Sequence, residues 1–163
     1  MTKFFSRKCL LFLVCTGLAF GAEKQIIRPD GVEPGGSFSP GILADGTLYI
    51  SGQGGEDATG KIPVNFESEV KQALNNVGAV LREAGMSSSN VVSVQVYLTS
   101  ADNFQRFNSV YTKYFNDPRP TRTTVVVAKL VGPGNIEITA YGQEIAEQSD
   151  PVRGPIGGTY ARA

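Results

Sequence analysis

The 163-residue chain has no histidine, and its only cysteines, Cys9 and Cys15, stand within the first fifteen residues. Without histidine, Ser-His-Asp and Cys-His catalysis are excluded, and a zinc site loses its commonest nitrogen ligand. Without a later cysteine, the body of the chain has neither a disulfide nor a thiol nucleophile. An excess of positive charge is missing too: 15 Lys+Arg face 15 Asp+Glu. The glycine-rich stretch at residues 52–60 is not followed by Gly-Lys-Ser/Thr, so it is not a phosphate loop. What is left for chemistry is carboxylates, hydroxyls, arginine, lysine and the backbone.

Lys3, Arg7 and Lys8 precede an uncharged apolar run over residues 9–21, which ends in Ala19-Phe20-Gly21. This pattern predicts a secretory signal peptide over residues 1–21, cleaved before Ala22, and hence an exported protein. The run is too short to span a bilayer, so no membrane association is expected after cleavage. Cleavage removes three of the 15 basic residues and leaves 12 against 15 acidic ones, a net charge of about −3. That balance gives no electrostatic reason to bind nucleic acid, and none is expected as a partner. Residues 22–146 form one expected domain, and the polar, Pro- and Gly-rich residues 147–163 read as a loose tail.

Within the domain, residues 23–36 read as an extended lead-in. Residues 37–43 and 47–51 read as strands joined by a tight turn at Ala44-Asp45-Gly46. Residues 65–84 carry Phe66, Val70, Ala73, Leu74, Val77, Val80, Leu81 and Ala84 at helical spacing, with Asn65 as cap and Gly85 as terminator. A strand over 90–98 follows, then a second helix over 102–115. Its stripe of Phe104, Phe107, Val110, Tyr111, Tyr114 and Phe115 reads as core packing rather than a cofactor box. The last strand, 135–145, alternates Ile136, Ile138 and Ala140 with Glu137, Thr139 and Tyr141. The order predicts an α+β domain with two helices on one face of a mixed sheet. The other face keeps Val and Tyr side chains with no helix to cover it, and a homo-oligomer is the economical cover.

Between the second helix and the last strand stands Arg119-Pro120-Thr121-Arg122-Thr123-Thr124-Val125-Val126-Val127. Thr121 to Val127 are β-branched apart from Arg122, which predicts a strand, and its apolar faces suggest burial on both sides. Arg122 is then a permanent charge beside two hydroxyls, and such a group needs an anion. From the residues alone, an ion pair with an Asp or Glu of the same chain is the simpler account, and a ligand carboxylate is the functional one.

Several motifs in fixed order resemble the Rid family (reactive intermediate deaminases, also called the YjgF family). They are Tyr49-Ile50-Ser51-Gly52-Gln53; Gln72-Ala73-Leu74-Asn75-Asn76-Val77 with Glu83-Ala84-Gly85; Phe107-Asn108-Ser109-Val110-Tyr111-Thr112-Lys113-Tyr114-Phe115; Arg119-Pro120-Thr121-Arg122-Thr123; and Ile136-Glu137-Ile138. The resemblance runs from about residue 35 to residue 143. It implies a chorismate-mutase-like fold and a homotrimer whose sheets face inward, with sites in the clefts between subunits. The implied activity is cofactor-independent hydrolysis of 2-imino or enamine acids to 2-keto acids and ammonia. Arg122 matches the family arginine that grips the substrate carboxylate, and Asn108 is expected to line the cleft.

Three positions depart from the family pattern. Phe38 stands where deaminating members have a tyrosine, and Thr124 where they have a cysteine. Thr139 replaces the second glutamate of Ile-Glu-Ile-Glu, the one assigned to water activation, while Glu137 remains two residues away. A threonine hydroxyl can position a water but cannot hold a proton at pH 7 as a carboxylate can. Two readings follow: a deaminase, weak for want of the glutamate, with catalytic candidates Arg122, Thr139 and Glu137; or a non-catalytic binder of small 2-keto-acid-like carboxylates. Arg122, Thr124, Phe38 and Asn108 are the binding candidates in either. RNA cleavage, an older label for the family, is disfavoured by the missing histidine and the negative charge.

Overall fold

Asn65 begins the longest helix as its sequence predicts. Its side chain accepts a hydrogen bond from the Ser68 N–H, Glu67 and Glu69 sit in the positive first turn, and Gly85 takes a φ of 71° just past the end. This helix, α1, runs Phe66–Glu83. The structure is a computed structural model that describes residues 23–33 and 36–145. The expected signal peptide and the expected tail both lie outside the described residues.

The hairpin is also as expected. Strands β2 (Gly41–Ala44) and β3 (Thr47–Gln53) pair antiparallel around Asp45 and Gly46, whose φ values are 49° and 70°. Two successive left-handed residues give the turn whose twist matches the strands it joins. Strand β4 (Val91–Leu98), helix α2 (Asn103–Tyr114), strand β5 (Thr121–Val126) and strand β6 (Ile136–Gln143) complete the predicted order. One strand was not expected: Gln25–Ile27 in the lead-in forms β1 and pairs with β2.

The six strands lie in the order β1-β2-β3-β6-β4-β5. β4 and β5 are parallel, joined through α2, and the other neighbours are antiparallel. Both helices cover one face. Leu48, Val94, Leu98, Ile136 and Ile138 of the sheet close on Val70, Leu74, Val77 and Leu81 of α1 and on Phe107 of α2, all fully buried. Each such aliphatic side chain contributes about 1.5–3 kcal/mol through its burial. This is the mixed-sheet, two-helix α+β architecture that the sequence predicts.

The strand around Arg122 is a correction. It was expected to be buried on both sides, but β5 is an edge strand, and Val125 and Val126 are 42% and 55% exposed. A β-branched run reports fit to a pleated surface, and an edge strand offers that surface with only one hydrogen-bonded neighbour. The opposite face of the sheet carries no helix. Tyr49, 48% exposed, meets Tyr141 edge to face with ring centroids 5.5 Å apart. Gln95 and Thr139 are register partners beside them, as are Tyr97 and Glu137.

Candidate functional site

Arg122 pairs in register with Val94, a buried residue of the helix-covered face, so its side chain rises towards α2. Three rings of that helix receive the guanidinium. Its central carbon lies 4.6 Å from the Tyr111 centroid, 5.2 Å from Phe107 and 5.7 Å from Phe104. Positions 104, 107 and 111 share one helical face, so a single stripe delivers all three. Ring faces carry negative potential and hold a cation without neutralising it.

Among the described residues the guanidinium makes one side-chain hydrogen bond, to a neutral partner: Arg122 Nη1 donates to Asn108 Oδ1 at 2.9 Å. A guanidinium only donates, so the amide oxygen must face it, and the Asn108 NH₂ is left as a further donor. Among the described residues, the ion pairs are Arg106–Glu67 and Arg119–Asp117, and Arg122 has no carboxylate partner. Among the described residues, then, no internal ion pair, the simpler account from sequence, holds Arg122.

Arg122 opens onto a cleft of about 470 Å³ lined by Asn108, Tyr111, Thr112, Arg119, Pro120 and Arg122. Burial raises the pKa of the Tyr111 phenol, and the positive charges of Arg122 and Arg119 oppose that rise. The Tyr111 and Thr124 hydroxyl oxygens are buried without a hydrogen-bond partner among the described residues. Thr124 shares the strand face of Arg122, two residues on. The structure thus joins Arg122 and Asn108 in one cleft, with Thr124 on the same strand face but not among the cleft-lining residues.

The remaining candidates lie elsewhere in the single chain. Thr139 and Glu137 alternate with the buried Ile138 and so stand on the uncovered face, opposite Arg122. The Thr139 hydroxyl oxygen is buried and unpartnered. Glu137 packs against Gly52, where an added Cβ would have to displace its carboxylate. Phe38, 68% exposed, lines a cavity of about 400 Å³ with Ile26, Arg28 and Val32. It precedes β2, four strand positions from β5, which is roughly 19 Å at ordinary strand spacing. Among the described residues no group of three or more His, Cys, Asp or Glu could hold a metal ion, and no helix is long and apolar enough to cross a membrane.

Sequence reasoning missed Phe104, Phe107, Tyr111 and Arg119. The aromatic stripe was read as core packing, which holds for Phe107 and Tyr111, both buried. The same rings also carry Arg122. The available signal was an aromatic stripe on the helix immediately preceding a strand with an unpaired arginine.

Comparison with known proteins places these features in a family. The family described as Endoribonuclease L-PSP matches residues 29–144. The 2-iminobutanoate/2-iminopropanoate deaminase of Bos taurus is 42% identical over 107 residues, 64% of this chain and 78% of the bovine one. A RutC family protein of Aquifex aeolicus is 37% identical over 118 residues, 71% of this chain and 94% of its own. The crystal structure of RidA from the Antarctic bacterium Psychrobacter superposes with a TM-score of 0.69 at 32% identity, covering 73% of this chain and 98% of that one.

Proposed function

The chain belongs to the Rid family (YjgF, Endoribonuclease L-PSP), and on that premise we propose that it hydrolyses 2-imino or enamine acids to 2-keto acids and ammonia without a cofactor. The observation that carries this reading is the free fork of Arg122. It is held by three rings and one neutral amide, faces an open cleft, and has no carboxylate partner among the described residues. A guanidinium so placed binds a substrate carboxylate through two parallel N–H donors and fixes the adjacent imine carbon. Water oxygen then adds to that carbon, the C–N bond breaks as nitrogen takes up protons, and ammonia leaves. The step needs no oxidant or reductant.

The groups proposed to meet the substrate are divided between two faces and two edges of one chain. A site that uses them together needs a second copy, with the β5 edge of one chain set against the uncovered face or the Phe38 end of the next. This division and the uncovered Tyr49–Tyr141 face support a homotrimer with clefts between subunits.

Thr139 favours a second reading, a binder of small 2-keto-acid-like carboxylates with little or no turnover. A carboxylate at this position would take a proton from the attacking water, a contribution of about 10²–10⁴ in rate, whereas threonine only orients it. Its unpartnered hydroxyl is consistent with that lesser role. The test is ammonia release from freshly generated 2-iminobutanoate by wild type and by Thr139→Glu. We expect weak turnover in wild type and a gain in the variant. Wild-type turnover equal to that of a glutamate-bearing relative would assign the proton transfer to another group. Tight binding of 2-oxobutanoate with no ammonia release from either protein would favour the binder.

A further inference from the structure

Two guanidinium groups open onto the cleft, and we infer that Arg119 is a specificity-determining residue that selects acids with a second carboxylate, 2-imino and 2-oxo dicarboxylates, over monocarboxylates. This rests on the reading of Arg122 as the grip for the first carboxylate. In an uninterrupted strand, residues three apart point to opposite faces, so positions 119 and 122 would not share a site. Arg119, however, lies ahead of β5 in irregular backbone just past a bend at residues 117–118, and it lines the same cleft as Arg122.

No Asp or Glu lines that cleft. Arg119 Nη1 donates to Asp117 Oδ1 at 2.5 Å, and both side chains are well exposed, 41% and 78%. A surface pair of this kind is worth little and reopens easily, so Asp117 steadies Arg119 without closing it to other anions. Among the described residues Arg122 itself has only the neutral Asn108 as its side-chain hydrogen-bond partner. Both arginines also act on the Tyr111 phenol, which sets the two positive charges within electrostatic reach of one point in the cleft. A monocarboxylate engages Arg122 and leaves Arg119 to solvent. A short-chain diacid engages both.

The test compares 2-oxopentanedioate with 2-oxopentanoate, which share a five-carbon chain and differ in the terminal carboxylate. Calorimetric titration of the intact protein at low salt should show the diacid binding about fivefold tighter or more, with the ratio shrinking as salt screens the outer contact. Arg119→Gln should bring the ratio to about one, and Arg119→Lys, which keeps the charge, should retain most of it. Equal affinities in wild type overturn the inference, as does a preference that survives in Arg119→Gln. If neither acid binds, or if 2-oxopentanoate binds Arg122→Ala as well as wild type, the reading of the cleft fails and takes this inference with it.

Discussion

Replacing Arg122 by methionine removes the guanidinium while leaving an unbranched apolar stem against Tyr111, Phe107 and Phe104. The structure suggests how much binding that costs. The guanidinium is already ordered, by Asn108 at 2.9 Å and by rings at 4.6, 5.2 and 5.7 Å, so little side-chain freedom remains to be lost when a ligand arrives. A bidentate charge-assisted contact made by such a group contributes about 2–4 kcal/mol, or about thirtyfold to several hundredfold in Kd. Its stability contribution is smaller, since a partly exposed cation over a ring is worth about 0.5–1 kcal/mol. Methionine keeps much of that packing through its own sulfur–aromatic contacts. Thermal unfolding and calorimetric titration with 2-oxobutanoate should therefore separate. Arg122→Met is expected to melt close to wild type and to bind at least about thirtyfold more weakly. Arg122→Lys should fail almost as badly, because an ammonium cannot present two parallel donors. A folded Arg122→Met that binds 2-oxobutanoate with wild-type affinity would falsify the carboxylate role. Loss of folding in both Arg122→Met and Arg122→Ala would show the residue to be structural.

Sedimentation at micromolar concentration should give a trimer, and a stable monomer would remove the shared cleft together with the cover for the Tyr49–Tyr141 face. A pH dependence follows from Glu67 of α1, which receives two 2.7 Å hydrogen bonds from Arg106 of α2. Chiefly through these bonds its pKa falls from 4.5 to about 2. A carboxyl group with a depressed folded-state pKa stabilises the fold above its unfolded value, and that contribution is lost as pH falls through the folded one. The Tm difference between wild type and Glu67→Gln should accordingly be full above about pH 5 and close towards pH 2, at a size reduced by solvent screening. A difference that persists unchanged to pH 2 would mean that the carboxylate charge contributes nothing.

Local signals were legible where the physics is local. Asn65 and Gly85 bounded α1 because capping needs only residues a few positions apart, and Asp45-Gly46 announced its hairpin for the same reason. The alternation of Ile136, Ile138 and Ala140 with Glu137, Thr139 and Tyr141 correctly assigned the two faces of β6. Lateral strand order depends on pairing across long separations, and there the sequence was silent. β1 is too short to show a period, and the apolar run of β5 could not reveal whether it had one neighbour or two. The family motifs singled out Arg122 and Asn108, and the structure joins the two by a hydrogen bond. That Thr139 and Arg122 emerge on opposite faces was not, because it follows from the register of both strands against β4. Arg119 looked like part of a strand motif, and its place in irregular backbone ahead of β5 makes it a cleft residue.

The cleft that holds Arg122 draws every lining residue from the segment 108–122. The proposed carboxylate grip is thus encoded in one short block of sequence, lying outside the long-range β3–β6 pairing that unites the first and last thirds of the domain. Substitution within that block would retune the proposed grip while the rest of the sheet keeps its partners. The uncovered face, by contrast, gathers Tyr49, Gln95, Thr139 and Tyr141 from scattered strands and can change only piecemeal. The proposed grip and the proposed subunit contact would therefore change at different grain.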